Sequence, residues 1–214
     1  MTRSARGADL DTEARILEGA RRVFIRRGTA GARVQEIAAE AGVNQALIHY
    51  YFGSKEALAE RIFLEAAGRL FPALAVVADP TASLEELIRR FVQVYIDTVR
   101  ATPYLPGYLL AEAQQNPARL ELLMQRAVGS APASVAGQAI TRLRTLIDAE
   151  VAAGTMRPVA PRFLFMNVMS LVAFPFVFRP IISTVLGASD AEFEAILDER
   201  RRELPGFIMR ALRG

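Results

Sequence analysis

Histidine and lysine each occur once in this chain, as His49 and Lys55; every other basic residue is arginine. They lie in residues 42–58, Gly-Val-Asn-Gln-Ala-Leu-Ile-His-Tyr-Tyr-Phe-Gly-Ser-Lys-Glu-Ala-Leu. A lone imidazole and a lone ammonium with Tyr50 and Tyr51 between them gather hydrogen-bond donors and aromatic rings. Such a set suits a surface that faces nucleic-acid phosphates. Catalytic and metal chemistry find little support. The chain has no cysteine, which excludes disulfides, thiolate metal sites and thiolate nucleophiles, and a single histidine leaves a zinc site short of its commonest ligands. No glycine-rich phosphate loop, His-Glu-x-x-His motif or Gly-x-Ser-x-Gly elbow occurs. Nothing asks for a cofactor.

Lys55 sits where a helix is expected to begin, just after Ser54. A cation in the first turn opposes the helix dipole and costs about a few tenths of a kcal/mol. A phosphate at that helix start reverses the sign, meeting both the ammonium and the free backbone N–H groups. Spacing alone leaves a second reading equally open, in which Lys55 is solvated and pairs loosely with Glu56 or Glu60.

The elements that position these groups follow from periodicity, which is helical in nearly every long segment. The first helix is expected over Thr12 to Arg27, ending at Gly28, with Ile16, Leu17, Ala20, Val23 and Phe24 inward. Short helices follow at about Val34–Ala41 and Gln45–Tyr51, with Gly42 and Val43 between them. A long helix runs from Lys55 towards Val77. Ser83 with Glu86 marks a capping box ahead of Leu84–Val99. Two shorter helices are read near 104–114 and 117–128, then a longer one over Val135–Ala153. Pro161 opens a helix carrying the apolar run Phe163–Phe178, which is read as buried on several sides. A short piece ends at Gly187, and Asp190 is expected to cap a last helix to about Leu212. The fold class is all-α: an N-terminal three-helix helix-turn-helix domain joined by a long helix to a larger helical body. The boundary is expected at 54/55, with domains 1–54 and 55–214.

Within the helix-turn-helix, Gly42 relieves the tight turn and Val43 plugs the gap. The second short helix cannot stand alone, so Ile48 and Phe52 are its expected anchors. That leaves Asn44, Gln45, Ala46, His49 and Tyr50 for the open face. Asn44 and Gln45 match adenine N6 and N7, and Ala46 lets the backbone approach a thymine methyl. His49 and Tyr50 suit phosphate oxygens, while Arg33 and Gln35 reach the backbone or an outer base. Each has a plainer reading as surface or core, and Arg21, Arg22, Arg26 and Arg27 suit a solvated face. Residues 1–60 hold nine Lys+Arg against eight Asp+Glu, so the domain is not strongly basic.

Residues 12–60 resemble the DNA-binding domain of the tetracycline-repressor (TetR) family of bacterial transcription regulators. The matching elements are Ile16-Leu17 through Phe24 and Gly28, Val34, Ile37-Ala38, Ala41-Gly42-Val43, Ile48, Phe52, Ser54-Lys55-Glu56 and Leu58. The resemblance implies a homodimer whose third helices enter the major groove. It places His49, Tyr50 and Lys55 on phosphates, and Gln35, Gln45 and Ala46 near bases. Two departures stand out. His49 occupies a position where tyrosine is common, and Ala32-Arg33 replaces the usual hydroxyl at the start of the second helix.

The resemblance also implies that residues 55–214 bind an effector and dimerise, the dimer forming through about 161–178 and 190–212. Tyr95, Tyr104, Tyr108, Met124, Phe165, Met166 and Asn167 are candidates for an effector pocket, each with core packing as its alternative. The low charge of 163–178 points to a small apolar or amphipathic effector. The expected function is a ligand-responsive repressor acting as a homodimer on palindromic double-stranded DNA. An all-helical enzyme or an adaptor with a hydrophobic pocket is the competing reading. A 52% hydrophobic, 23% charged composition is globular, and a net charge of +3 permits an anionic partner without demanding one. Residues 1–10 lack the apolar run of a signal peptide, and 163–178 is shorter than the roughly 20 residues that span a bilayer. The chain is therefore expected to be soluble and cytoplasmic, with no membrane partner.

Overall fold

The computed structural model describes residues 3–74, 79, 81–103, 105–115, 117–129 and 132–213. Every regular element among them is a helix: α1 (Arg3–Gly31), α2 (Val34–Ala41), α3 (Gln45–Phe52), α4 (Lys55–Leu74), α5 (Leu84–Ala101), α6 (Leu105–Gln115), α7 (Pro117–Val128), α8 (Pro132–Ala152), α9 (Pro161–Val177), α10 (Arg179–Leu186) and α11 (Asp190–Arg213). The all-α expectation holds. The first helix starts earlier than Thr12. Gly28 does break it, with φ 67° and ψ 168°, and a last turn follows to Gly31.

The chain divides into two compact units, Met1–Ala67 with Pro103–Leu123, and Gly68–Thr102 with Met124–Gly214. In the first unit α1 carries buried Ile16, Leu17, Ala20, Val23 and Phe24. The first half of α4 belongs with them through buried Leu58, Ile62 and Phe63. Phe63 stacks on Tyr108 of α6, with ring centroids 5.2 Å apart. This unit therefore runs past the glycine-serine break before Lys55. Arg119 of α7 fastens it further, donating to the Glu56 carbonyl at 3.1 Å and pairing with Glu112 at 3.5 Å.

The close approach of α1 and α2 depends on Gly19. A Cβ there would lie 2.9 Å from both the Cβ and the backbone nitrogen of Ala41, which no packed structure tolerates without movement. Gly19→Ala is therefore expected to lower stability by about 1–2 kcal/mol. Thermal melts followed by circular dichroism check this, and an unchanged midpoint would show that α1 shifts freely.

In the second unit α5 is amphipathic. Leu84, Leu87, Ile88, Phe91, Val92, Tyr95, Ile96 and Val99 are all buried, at the spacing of one helical face. Ser83 caps it by accepting the Glu86 N–H at 3.2 Å. The return half of the capping box is absent because Arg89 and Arg90 hold the Glu86 carboxylate. Arg201 of α11 grips Asp97 of α5 with two bonds of 2.8 and 2.9 Å. The cap of α11 is Ser189 rather than Asp190. The Ser189 hydroxyl accepts the Glu192 N–H, while the Glu192 carboxylate accepts the Ser189 N–H at 2.8 Å.

Helix α9 departs from expectation. Leu164, Val168, Val172 and Pro175 are buried, but Phe163 is 63% and Met166 67% exposed. One apolar side packs inside the protomer and the other stays open. Pro175 lies within α9 and has no N–H, so the Leu171 carbonyl four residues back loses its helical donor. Arg200 of α11 supplies the replacement, donating to that carbonyl at 2.6 Å. Among the described residues no single helix is long and apolar enough to cross a membrane, and the apolar pair α9 and α10 is bent by 74°.

Candidate nucleic-acid interface

Helix α2 has no side-chain cap at Arg33, as the missing hydroxyl implied. Its other end is secured twice. Gly42, at φ 63° and ψ 42°, takes the left-handed conformation and returns its N–H to the carbonyls of Ala38 and Ala39. Arg15 of α1 donates to the carbonyls of Ala41 and Gly42 at 3.0 and 2.6 Å. Nothing in residue spacing singled out Arg15.

The arginines of α1 are not simply solvated. Arg22 and Arg26 both hold Glu40 of α2, at 2.7 and 2.5 Å, and Arg27 reaches Glu36 at 3.3 Å. Arg21 pairs with Glu18 and Glu65. The hydrogen bond from Arg26, then that from Arg22, holds the Glu40 carboxyl below its ordinary range. Its stabilising share is present above that ordinary range and is lost as pH falls through the lowered value. The pairs of Glu36 and Glu40 tie α2 to α1 and neutralise positive charge on that face.

Helix α3 is held by Ile48, which is fully buried, while Phe52 is only half-buried. The Asn44 side chain accepts the Ala46 N–H at 2.9 Å and so caps α3. Its oxygen is thereby engaged locally, which leaves the paired donor-and-acceptor match to adenine with Gln45. Ala46, His49 and Tyr50 are exposed, Tyr50 by 78%, and Gln45 is half-exposed. Arg33 and Gln35 are exposed at the start of α2. Tyr50 meets Tyr51 edge-on at 5.1 Å. His49 Nδ1 lies 3.1 Å from the Gly53 carbonyl oxygen.

Ser54 caps α4, accepting the Ala57 N–H at 3.1 Å. The Lys55 ammonium turns to the carbonyls of Ala32 and Ala30, at 3.1 and 3.5 Å, near the end of α1. It thus joins the start of α4 to the turn between α1 and α2 rather than pairing with Glu56 or Glu60.

The described candidate effector residues fall in both units. Tyr108 is buried in the first unit, where burial foremost, and Glu112 next, push its phenol up. Tyr95 is buried in the second, its phenol pushed up to about 12 by burial, with Phe91 and Phe176 beside it. Met124 is half-buried, and Tyr104 lies outside the described residues. Phe165 lines an apolar cavity of 40 Å³ with Leu87, Ile88 and Phe91 of α5 and Ala139 and Leu143 of α8. Asn167 lines a larger one of 430 Å³ between α9 and α11, with Phe163, Leu171 and Phe207. Met166 is exposed. Among the described residues no cluster of His, Asp or Glu suits a metal ion.

A short exposed helix, anchored by one buried isoleucine and set by a left-handed glycine against an ion-paired partner, defines the helix-turn-helix module of a DNA-binding regulator. The comparisons agree. Residues 16–62 match the family described as bacterial regulatory proteins, tetR family. The chain is 29% identical over 201 residues to the HTH-type transcriptional repressor NicS of Pseudomonas putida, covering 87% of this chain and 86% of that protein. It is 30% identical over 177 residues to the HTH-type transcriptional regulator RutR of Escherichia coli, covering 81% and 78%. The solved structure of the ketosteroid transcriptional regulator KstR2 of Mycobacterium tuberculosis has the same fold. Its TM-score is 0.66 at 16% identity, over 100% of this chain and 97% of that one. The chain belongs to the TetR family of bacterial transcription regulators. It is a regulator that binds DNA, not an enzyme.

Proposed function

We propose that this protein is a homodimeric, effector-relieved repressor working in the cytoplasm, and that α3 of each subunit reads the major groove. The carrying observation is the exposure of Ala46, His49 and Tyr50, with Gln45, on a helix whose one buried anchor is Ile48. Gln45 and Ala46 meet base edges. Tyr50, His49 and Arg33 meet phosphates, Gln35 the backbone or an outer base, and Asn44 sets the start of the helix. Lys55 keeps at least one N–H for a phosphate at the start of α4 while its other donors hold α1.

Residues 1–54, with Lys55 at the start of α4, carry the DNA contacts, and the rest of 55–214 the effector and dimer functions. The dimer forms through the open sides of α9 and α11, where Phe163, Met166, Phe174 and Phe207 are exposed. Ile181 and Val185 of α10 are exposed as well and join this interface. An operator of two half-sites asks the dimer to present its two α3 helices about 34–36 Å apart, matching successive major grooves.

The effector enters between α5, α8 and α9, beside Phe165. That cavity has no polar lining residue and is smaller than the ~300 Å³ of typical ligand sites. An apolar effector must therefore enlarge it, parting α9 from α5 and changing the spacing of the two α3 helices.

Gel-shift titrations over a range of salt concentrations test the DNA contacts. Lys55→Ala weakens binding to all sequences alike and lowers the salt slope by about one per subunit. Gln45→Ala shifts base preference at one position of each half-site, with a cost of about 1–3 kcal/mol for the preferred base. Unchanged affinity and preference in both variants would remove α3 and the start of α4 from the interface.

A further inference from the structure

His49 and Gly53 are joined twice. The Gly53 N–H donates to the His49 carbonyl at 2.9 Å, closing α3, and the His49 ring returns from Nδ1 to the Gly53 carbonyl at 3.1 Å. A carbonyl oxygen only accepts, so this second bond exists only with the proton on Nδ1. The neutral ring then has a bare lone pair on Nε2. Phosphate oxygens also only accept. A neutral His49 held in this way therefore has nothing to offer a phosphate.

We infer that His49 grips DNA phosphate only as the imidazolium, so that operator binding takes up a proton at each subunit. The inference rests on the placement of His49 at the interface and adds the protonation state in which it works. With Nδ1–H kept on Gly53, the proton gained on Nε2 makes a charge-assisted bond to a phosphate oxygen. Loss of that proton leaves two lone pairs opposed and releases the contact. Imidazole is the side-chain type whose charge ordinarily changes near neutral pH.

Most of the charged side chains on the surrounding elements are engaged elsewhere. Glu36 and Glu40 of α2 are held by Arg27, and by Arg22 and Arg26. Arg15 of α1 is on the Ala41 and Gly42 carbonyls, and Lys55 of α4 is on those of Ala32 and Ala30. Glu56, exposed at the start of α4, makes no ion pair with His49. The anion that would meet the imidazolium is therefore the DNA itself.

The test uses the full-length protein and a duplex of about 30 base pairs selected by it from random sequence. Affinity is measured from pH 6 to 8.5 at fixed ionic strength, because salt alone moves Kd. For the wild type, Kd is expected to rise about tenfold or more across this range, with a limiting slope of about two decades per pH unit for two subunits. His49→Gln, whose amide donates at every pH, is expected to bind with a flat profile, and circular dichroism at each pH confirms that both proteins stay folded. A flat wild-type profile, or an equal slope in His49→Gln, overturns the inference. The placement itself fails separately, if His49→Ala binds at every pH with wild-type affinity. A changed base preference in His49→Gln with a flat wild-type profile also overturns it, because neutral Nε2 would then be accepting from a base amino group.

Discussion

Exchanging Phe163 and Met166 together for glutamate is expected to convert the protein to a monomer and to reduce operator affinity by at least about a hundredfold. Both side chains are mostly exposed in the protomer, at 63% and 67%. Large apolar side chains left open to water in such number mark an interaction surface, and Phe174, Ile181, Val185 and Phe207 are exposed as well. A two-fold interface presents each residue twice, so two substitutions place four carboxylates against apolar surface. Removing such charges from water without partners costs several kcal/mol, more than a standard dimer can spare. The protomer should be unharmed, because neither side chain is part of its core. Sedimentation equilibrium reads the association constant, and DNA binding falls with it because the second half-site no longer benefits from a tethered partner. A double variant that sediments as a wild-type dimer would place the two-fold axis elsewhere. Val185→Glu, at a 77% exposed site on α10, then separates a broad interface from a narrow one. Weakened association by this change alone shows that α10 takes part.

The helix-turn-helix was legible because its signals are local. Periodicity placed α2 over Val34–Ala41 without error, and Gly42 announced its own left-handed turn. Ser83 and Pro161 marked helix starts for reasons that involve only their neighbours in the chain. Contacts between residues distant in sequence carry no such local signal. Gly19 reads as a weak spot in a helix until Ala41 is seen against it. Arg15 is one arginine among many until its guanidinium reaches the end of α2. The α1 arginines looked solvated because Glu36 and Glu40 lie on another helix at no fixed spacing.

Lys55 illustrates a different limit. Its type and position suggested either a phosphate or a nearby glutamate as partner. The ammonium goes instead to backbone carbonyls more than twenty residues earlier, which no pattern of side chains can signal. Apolarity was likewise ambiguous. The run Phe163–Phe178 promised burial on several sides, and composition does not say whether the covering surface belongs to the same chain. Only the division of α9 into a buried side and an open one separates the protomer's core from the surface assigned to a second copy.

Removing Arg200 is expected to cost about 2–3 kcal/mol, and most of that loss should vanish when Pro175 is replaced by alanine. The two residues are linked through one carbonyl. Pro175 deprives Leu171 of its helical donor, and Arg200 restores one at 2.6 Å from α11. The guanidinium accepts partial burial to do so, which pushes its pKa down. In Arg200→Met the apolar stem stays but the carbonyl loses its partner within a half-buried helix pair, and the penalty is that of an unsatisfied polar group. In Pro175→Ala the regained N–H closes the helical bond itself, so Arg200 becomes dispensable. Chemical denaturation of the wild type, both single variants and the double variant gives the coupling directly. Additive effects would mean that Arg200 contributes by packing alone. A coupling of about 1 kcal/mol or more identifies the α9–α11 joint as a proline break repaired from the neighbouring helix. Because α9 also lines the cavity at Phe165, the same variants then report on effector response. Pro175→Ala stiffens α9 and should raise the effector concentration needed to release DNA, whereas Arg200→Met should lower it.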